Sequence, residues 1–194
     1  MKLGEHFIQV LGGLDSVPSI QYLWKEAQQY VKTNDVRMIK KYQNLILILH
    51  NSFVSPETKM GESVNFGYGG IGVVVHKDCV IGNGVSISQN VTLGGTPGSI
   101  SYDEDGKKFT VPIVKDNCYI ACGSKILGAL KLEKFTIIGA NSVVLSSTDP
   151  FSIYAGNPAK KKKSITKANC KKYRSFFRAL ADLSDDKYVQ IFPD

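Results

Sequence analysis

From Val75 to Gly95 the chain reads VHKDCVIGNGVSISQNVTLGG, and an aliphatic residue returns at every sixth position: Val75, Ile81, Ile87 and Leu93. A helix repeats near 3.6 residues and a strand at 2, so neither element alone gives this spacing. The period pauses after Leu93, resumes at Val114 and holds through Ile120, Ile126, Leu132, Ile138 and Val144. Four residues beyond these positions stand further small or apolar side chains: Cys79, Val85, Val91, Cys118, Ser124, Leu130, Thr136 and Ser142. The backbone that satisfies this pattern is a β-solenoid of triangular cross-section. Each side is a short strand with one aliphatic residue pointing inward, and six-residue repeats are among the known signatures of such coils. A β-sandwich with chance spacing would not keep its phase across an interruption. Gly82, Asn83, Gly84, Gly94, Gly95, Gly139 and Asn141 fall at the expected corners, where Gly and Asn tolerate positive backbone angles. The inward position four residues on gives Cys79 and Cys118 a packing role rather than a redox one.

The period divides the chain. Residues 1–52 form a helical segment. In it Ile20, Leu23, Trp24, Ala27 and Val31 recur at helical spacing, and a second helix runs from about Asp35, its cap, to His50. Residues 53–158 form the coil, which begins faintly at Met60 and Phe66 and slips at the glycines of FGYGGIG. Residues 96–112 are polar, glycine-bearing and acidic at the centre, and read as a loop thrown out from one corner. Residues 159–194 form a basic tail with a helix expected over Ala168–Leu183, its Tyr173, Phe176, Phe177 and Leu180 on one side.

Composition is that of an ordinary globular protein, with 43% hydrophobic and 21% charged residues. The formal net charge of +7 suits an anionic partner, and much of it lies in the last fifth of the chain. A solvated basic face is the commoner meaning of such a run. No export signal is visible, and Leu45–Leu49 is far too short to span a bilayer, so a cytoplasmic protein without an integral membrane segment is expected. The four cysteines then read as reduced thiols, and Cys118 and Cys122, with no second ligand pair, do not form a zinc site. No metal is expected. The lysines lack interleaved aromatic platforms, which argues against nucleic acid.

GNGVSISQNVTLGG, the loop, VPIVKDNCYIACGSKILG and IIGANSVVL…YAGNPAK together resemble the hexapeptide-repeat acyltransferases. The resemblance covers roughly residues 53–163. Its nearest group is serine acetyltransferase and the related O-acetyltransferases of bacterial surface polysaccharides. It implies a mainly β fold, a left-handed parallel β-helix with an N-terminal helical segment and a C-terminal helix. It also implies a homotrimer that binds acetyl-CoA in a groove between subunits.

Matched position by position, the family motif puts Gly95 and Thr96 beside the thioester end of the pantetheine. It puts Cys122 and Ala140 where that arm crosses the coils, and Lys160 near the nucleotide phosphates. The catalytic His of serine acetyltransferases falls on Gly69, beside Tyr68. Its partner Asp falls near Phe53 or Val54, and the loop His falls on Val111. These departures point away from serine and toward the shorter polysaccharide-modifying members.

Acetyl transfer to a hydroxyl needs a base, oxyanion donors and a slot for the thioester. Of the three histidines, His6 lies near the N-terminus and His50 ends a helix. His76 sits at a corner one turn below Gly94, beside the departing loop, and is the expected catalytic base. Tyr68 is the expected acceptor-binding hydroxyl. Asp78, Asp103, Glu104 and Asp105 are the carboxylates that could orient the imidazole. The function expected is acetyl-CoA-dependent O-acetylation of a sugar or polysaccharide precursor. The alternatives are a serine O-acetyltransferase with displaced catalytic groups and a catalytically inactive β-helix scaffold.

Overall fold

A computed structural model describes residues 17–194. The six-residue period becomes three parallel sheets that the chain visits in rotation. One face stacks Phe53–Val54, Val74–Val75, Thr92–Gly94, Lys125–Leu127 and Val143–Val144. The second stacks Lys59–Met60, Val80–Ile81, Ile113–Val114 and Lys131–Leu132. The third stacks Asn65–Phe66, Ser86–Ile87, Tyr119–Ile120, Ile137–Ile138 and Ser152–Gly156.

Register explains the period. Val54, Val75, Leu93, Ile126 and Val144 pair in one column, and Phe66, Ile87, Ile120 and Ile138 in another. Every aliphatic residue of the period from Val75 to Val144 is buried, and so are Cys79, Val85, Val91, Cys118, Ser124, Leu130, Thr136 and Ser142. Stacking like on like fills the coil's centre, and burial of such side chains stabilises by about 1.5–3 kcal/mol each.

The corners use more than one device. Asn90, Asn117, Asn141 and Gly84 take left-handed angles, whereas Gly82 and Gly139 do not. Gly82 is needed for space: a Cβ there would stand 2.4 Å from Oδ1 of Asp116 in the next coil. The slip at FGYGGIG is a 3-10 turn over Gly67–Gly70 with Tyr68 and Gly69 left-handed.

Two helices close the lower end. Helix α1 spans Ile20–Lys32, capped by Ser19 accepting from the Tyr22 amide, and buries Ile20, Leu23 and Ala27. Helix α2 spans Val36–His50, capped as expected by Asp35, whose Oδ1 accepts from the Met38 amide at 3.0 Å. Trp24 Nε1 donates to the Thr58 carbonyl and Gln28 Nε2 to the Pro56 carbonyl, which fastens α1 to the first coil.

Two expectations change. The segment 96–112 is not plain loop: Ser101–Tyr102 and Lys108–Phe109 pair as an antiparallel hairpin. Asp103 Oδ1 closes its turn by accepting from the amides of Asp105 and Lys107. The hairpin is pinned to the coil by the Lys131–Glu104 ion pair at 3.1 Å and by Ser99 Oγ accepting from the Ala129 amide.

The helix expected over Ala168–Leu183 is instead two 3-10 segments, Cys170–Phe176 and Arg178–Leu180, and the α-helix lies later, at Asp185–Gln190. The cause is packing: Phe177, Tyr188 and Phe192 turn toward Phe135, Ile137, Ile165 and Cys170 in a second buried cluster. A regular helix would not aim these rings at one patch of the third face. The strand Ala159–Ser164 folds back antiparallel on Ser152–Gly156, so the tail begins as an edge of the coil.

Candidate active site

The structure distributes the expected site residues over two corners of the coil and, for Lys160, its edge strand. His76 occupies the corner between the first and second faces. Its amide donates to the Leu93 carbonyl and its carbonyl accepts from the Cys79 amide, so the backbone beneath the ring is fixed on both sides. The side chain is 46% exposed. Its Nδ1 accepts the backbone N–H of Asp78 at 3.3 Å and stands 3.7 Å from the Asp78 carboxylate. Among the four carboxylates considered, Asp78 is therefore the one at the imidazole. Asp103 is taken up by the hairpin turn and Glu104 by Lys131.

Gly95 and Thr96 leave the same corner one turn above. A Cβ on Gly95 would lie 3.3 Å from both the Thr110 carbonyl and Val111 Cγ1, so this glycine lets the two ends of the hairpin segment meet. The Thr96 carbonyl accepts from the Ser99 amide. Val111 is buried.

Tyr68, Cys122 and Ala140 meet at another corner, between the third and first faces. There they line one groove of about 650 Å³, within the range of small-molecule sites. Its walls include Ser86, Ser88, Gln89 and Tyr119 from the third face, and Ser175, Phe176 and Arg178 from the C-terminal segment. Tyr68 is 79% exposed, on a left-handed backbone. The sequence reading missed Ser86 and Arg178. No period marks a 3-10 segment, and a serine in a coil strand looks like any other outward residue. Lys160 lies apart from this lining, exposed on the edge strand opposite Ala155.

The groove suits a pantetheine arm because Ala121, Cys122, Gly139 and Ala140 leave its rim low.

His50 is not a free helix-end residue. It is buried, and its Nε2–H donates to the Pro18 carbonyl at 2.8 Å, the tautomer that this acceptor requires. A Cβ on Gly69 would stand 3.0 Å from Cε1 of that ring. The position matched to a catalytic histidine is thus a glycine packed over a different imidazole. His6 lies outside the described residues.

The thiols divide by environment. Burial pushes Cys79 and Cys118 up to about 12, which keeps both protonated and inert. Cys122 alone is half-exposed; Cys79, Cys118 and Cys170 are buried, and all four are free.

No protein-family model matches the chain. A serine acetyltransferase of Staphylococcus aureus (strain Mu50) is 36% identical over 153 residues, which are 78% of this chain and 65% of the relative. A serine acetyltransferase of Staphylococcus epidermidis is 44% identical over 105 residues, 54% of this chain and 46% of the relative. Among solved structures, a serine acetyltransferase in complex with CoA superposes with a TM-score of 0.64 at 32% identity, covering 74% of this chain and 56% of that one. One in complex with cysteine gives a TM-score of 0.67 at 30% identity, covering 82% and 57%.

The chain is similar to serine acetyltransferases.

It spans between about half and two thirds of the length of the relatives it matches. The coil presents an imidazole at one corner and a groove with low walls at another. Among its described residues no helix is long and apolar enough to cross a membrane.

Proposed function

We propose that the chain transfers an acetyl group from acetyl-CoA to a hydroxyl, on a left-handed coil that works as a homotrimer. The observation that carries this reading is the groove of about 650 Å³ that Tyr68, Cys122 and Ala140 line together. A neighbour in complex with CoA supports the ligand. The separation of His76 from that groove supports the trimer, because a corner of one copy laid against a different corner of the next would unite them. Phe53 and Val74, 45% and 40% exposed on the first face, supply apolar surface for such a contact.

In this reading Ala140 and Cys122 flank the arm, Arg178 binds its polar groups, and Lys160 approaches the phosphates. Acetyl-CoA supplies the activated carbonyl. His76 takes the proton of the acceptor hydroxyl at Nδ1, the nitrogen left unprotonated where the Asp78 amide donates to it, and returns it to the departing sulfur, and backbone amides near Gly94 and Gly95 hold the oxyanion. Tyr68 binds the acceptor.

The names of the relatives favour L-serine over a saccharide as the acceptor, which makes the serine enzyme with displaced catalytic groups the leading form of the proposal. His50 under Gly69 is the local feature consistent with displacement. A sugar or polysaccharide precursor hydroxyl is the second reading, supported by Tyr68 and Gly69 standing where serine acetyltransferases carry their catalytic side chain.

The test is release of CoA from acetyl-CoA with L-serine and, separately, with acceptor sugars. Release with serine alone supports the first form, and release with sugars alone the second. No release with either, together with no rise in Tm on adding acetyl-CoA, overturns the enzyme reading in favour of an inactive scaffold.

A further inference from the structure

A second groove, of about 480 Å³, runs between the hairpin and the corner that carries His76. The coil contributes Glu57, Lys59, Lys77 and Asp78, and the hairpin contributes Asp103, Lys107, Lys108 and Phe109. Four lysines from three separate stretches of chain therefore line one concave surface. Among the described residues, Lys59, Lys107 and Lys108 form no ion pair, and Lys77 reaches only its neighbour Asp78, at 3.8 Å. Three carboxylates, Glu57, Asp78 and Asp103, also line the groove and leave it a small net positive charge. Asp103 Oδ1 faces two amides of the hairpin turn, and Asp78 stands at His76.

The hairpin is held in place over the groove. Glu104 pairs with Lys131, and Lys131 Nζ also lies 5.9 Å from the centre of the Phe109 ring. The lysines on it are thus carried by a fixed element rather than a swinging loop. A net positive cleft with low-dielectric walls concentrates an anion there. Lysine binds phosphate as a point charge with three donors, which suits a ligand approached from several sides.

We propose that this groove binds a phosphoryl or diphosphoryl group of a small molecule and so seats a phosphorylated acceptor beside His76. The proposal rests on His76 being the working corner of an acetyl transfer, and it narrows the acceptor to hydroxyl compounds that carry phosphate. Phe109 lines the wall against which the uncharged part of such a molecule would lie.

The experiment titrates pyrophosphate into the full chain by calorimetry, with acetyl-CoA present in excess to occupy its own phosphate contacts. The expected result is binding that weakens at least about tenfold in the Lys59→Gln/Lys108→Gln variant and is unchanged in Lys160→Gln. The Lys77→Gln/Lys107→Gln variant should weaken it likewise, and an unaltered Tm shows that each variant is folded. A hexose 1-phosphate should displace pyrophosphate, and the free hexose should not. Absent pyrophosphate binding, or binding indifferent to all four lysines, overturns the proposal. If acetyl-CoA itself leaves Tm unmoved, the acetyl-transfer reading falls, and the same titration without it still decides whether the groove takes phosphate.

Discussion

The Asp78 backbone amide donates to Nδ1 of His76 over 3.3 Å while the Asp78 carboxylate stands 3.7 Å from the same nitrogen. The ring is therefore oriented first by the backbone of its own corner and only secondarily by a carboxylate. His76→Ala should lower turnover at least about 100-fold, the scale of acid–base catalysis, and leave the acetyl-CoA-induced rise in Tm intact. Asp78→Asn keeps the amide and should cost less than about tenfold, since only the weaker contact is lost. Steady-state CoA release separates the two. If His76→Ala turns over normally and His50→Gln does not, at unaltered Tm, the base is His50.

The two inward thiols give an alkaline signature. Burial raises Cys79 and Cys118 from 9.0 to about 12, so the folded state holds their protons more tightly than the unfolded chain does. The sign follows from linkage: the contribution is complete below pH 9 and is lost as pH rises toward 12. Tm should fall across that window, and a Cys79→Ala/Cys118→Ala variant should show a shallower fall. At pH 7.5 a thiol reagent should label Cys122 before the three buried cysteines, and CoA should slow that labelling. Equal labelling rates would contradict the burial pattern.

The coil was legible because its geometry demands one inward aliphatic residue per side, and nothing else in a chain repeats at six. Its corners were half legible: Asn141 and Gly84 do take left-handed angles, but Gly82 and Gly139 are glycines for closeness to the next coil, which only the stacked structure shows. The choice of Asp78 over Asp103 and Glu104 was not legible, because it depends on a hairpin turn and an ion pair formed across the fold. Arg178 and Ser86 were missed for a related reason. Their shared groove exists only because an aperiodic tail lies over the third face.

Gly70 joins the helices to the coil. Its φ is +106°, and a Cβ there would stand 2.4 Å from Cδ1 of Ile20, which is fully buried in α1. Gly70→Ala therefore meets both backbone strain and a clash and should destabilise by more than about 1 kcal/mol, a fall in Tm of roughly 2–4 °C per kcal/mol at this size. Gly98→Ala is the control: its φ is also positive, but nothing lies within 4 Å of the added carbon. A Gly70→Ala variant no less stable than Gly98→Ala would mean that Ile20 does not seat where described.

Phe192 holds the tail to the third face. Its ring centre lies 5.2 Å from that of Phe135 and 5.0 Å from that of Tyr188, in the aromatic cluster separate from the coil's own core. Truncating such a ring costs about 3–5 kcal/mol. The coil keeps its inward columns, so the loss should appear as local opening of the tail rather than global unfolding. Phe192→Ala should speed amide exchange from about residue 165 onward while Ile120, Ile126 and Ile138 stay protected. Because Phe176 and Arg178 wall the groove, acetyl-CoA should then raise Tm less than it does in the parent chain. Unchanged exchange in the tail would show that the other rings suffice to hold it. Faster exchange with an undiminished acetyl-CoA effect would show that the groove does not need its C-terminal wall.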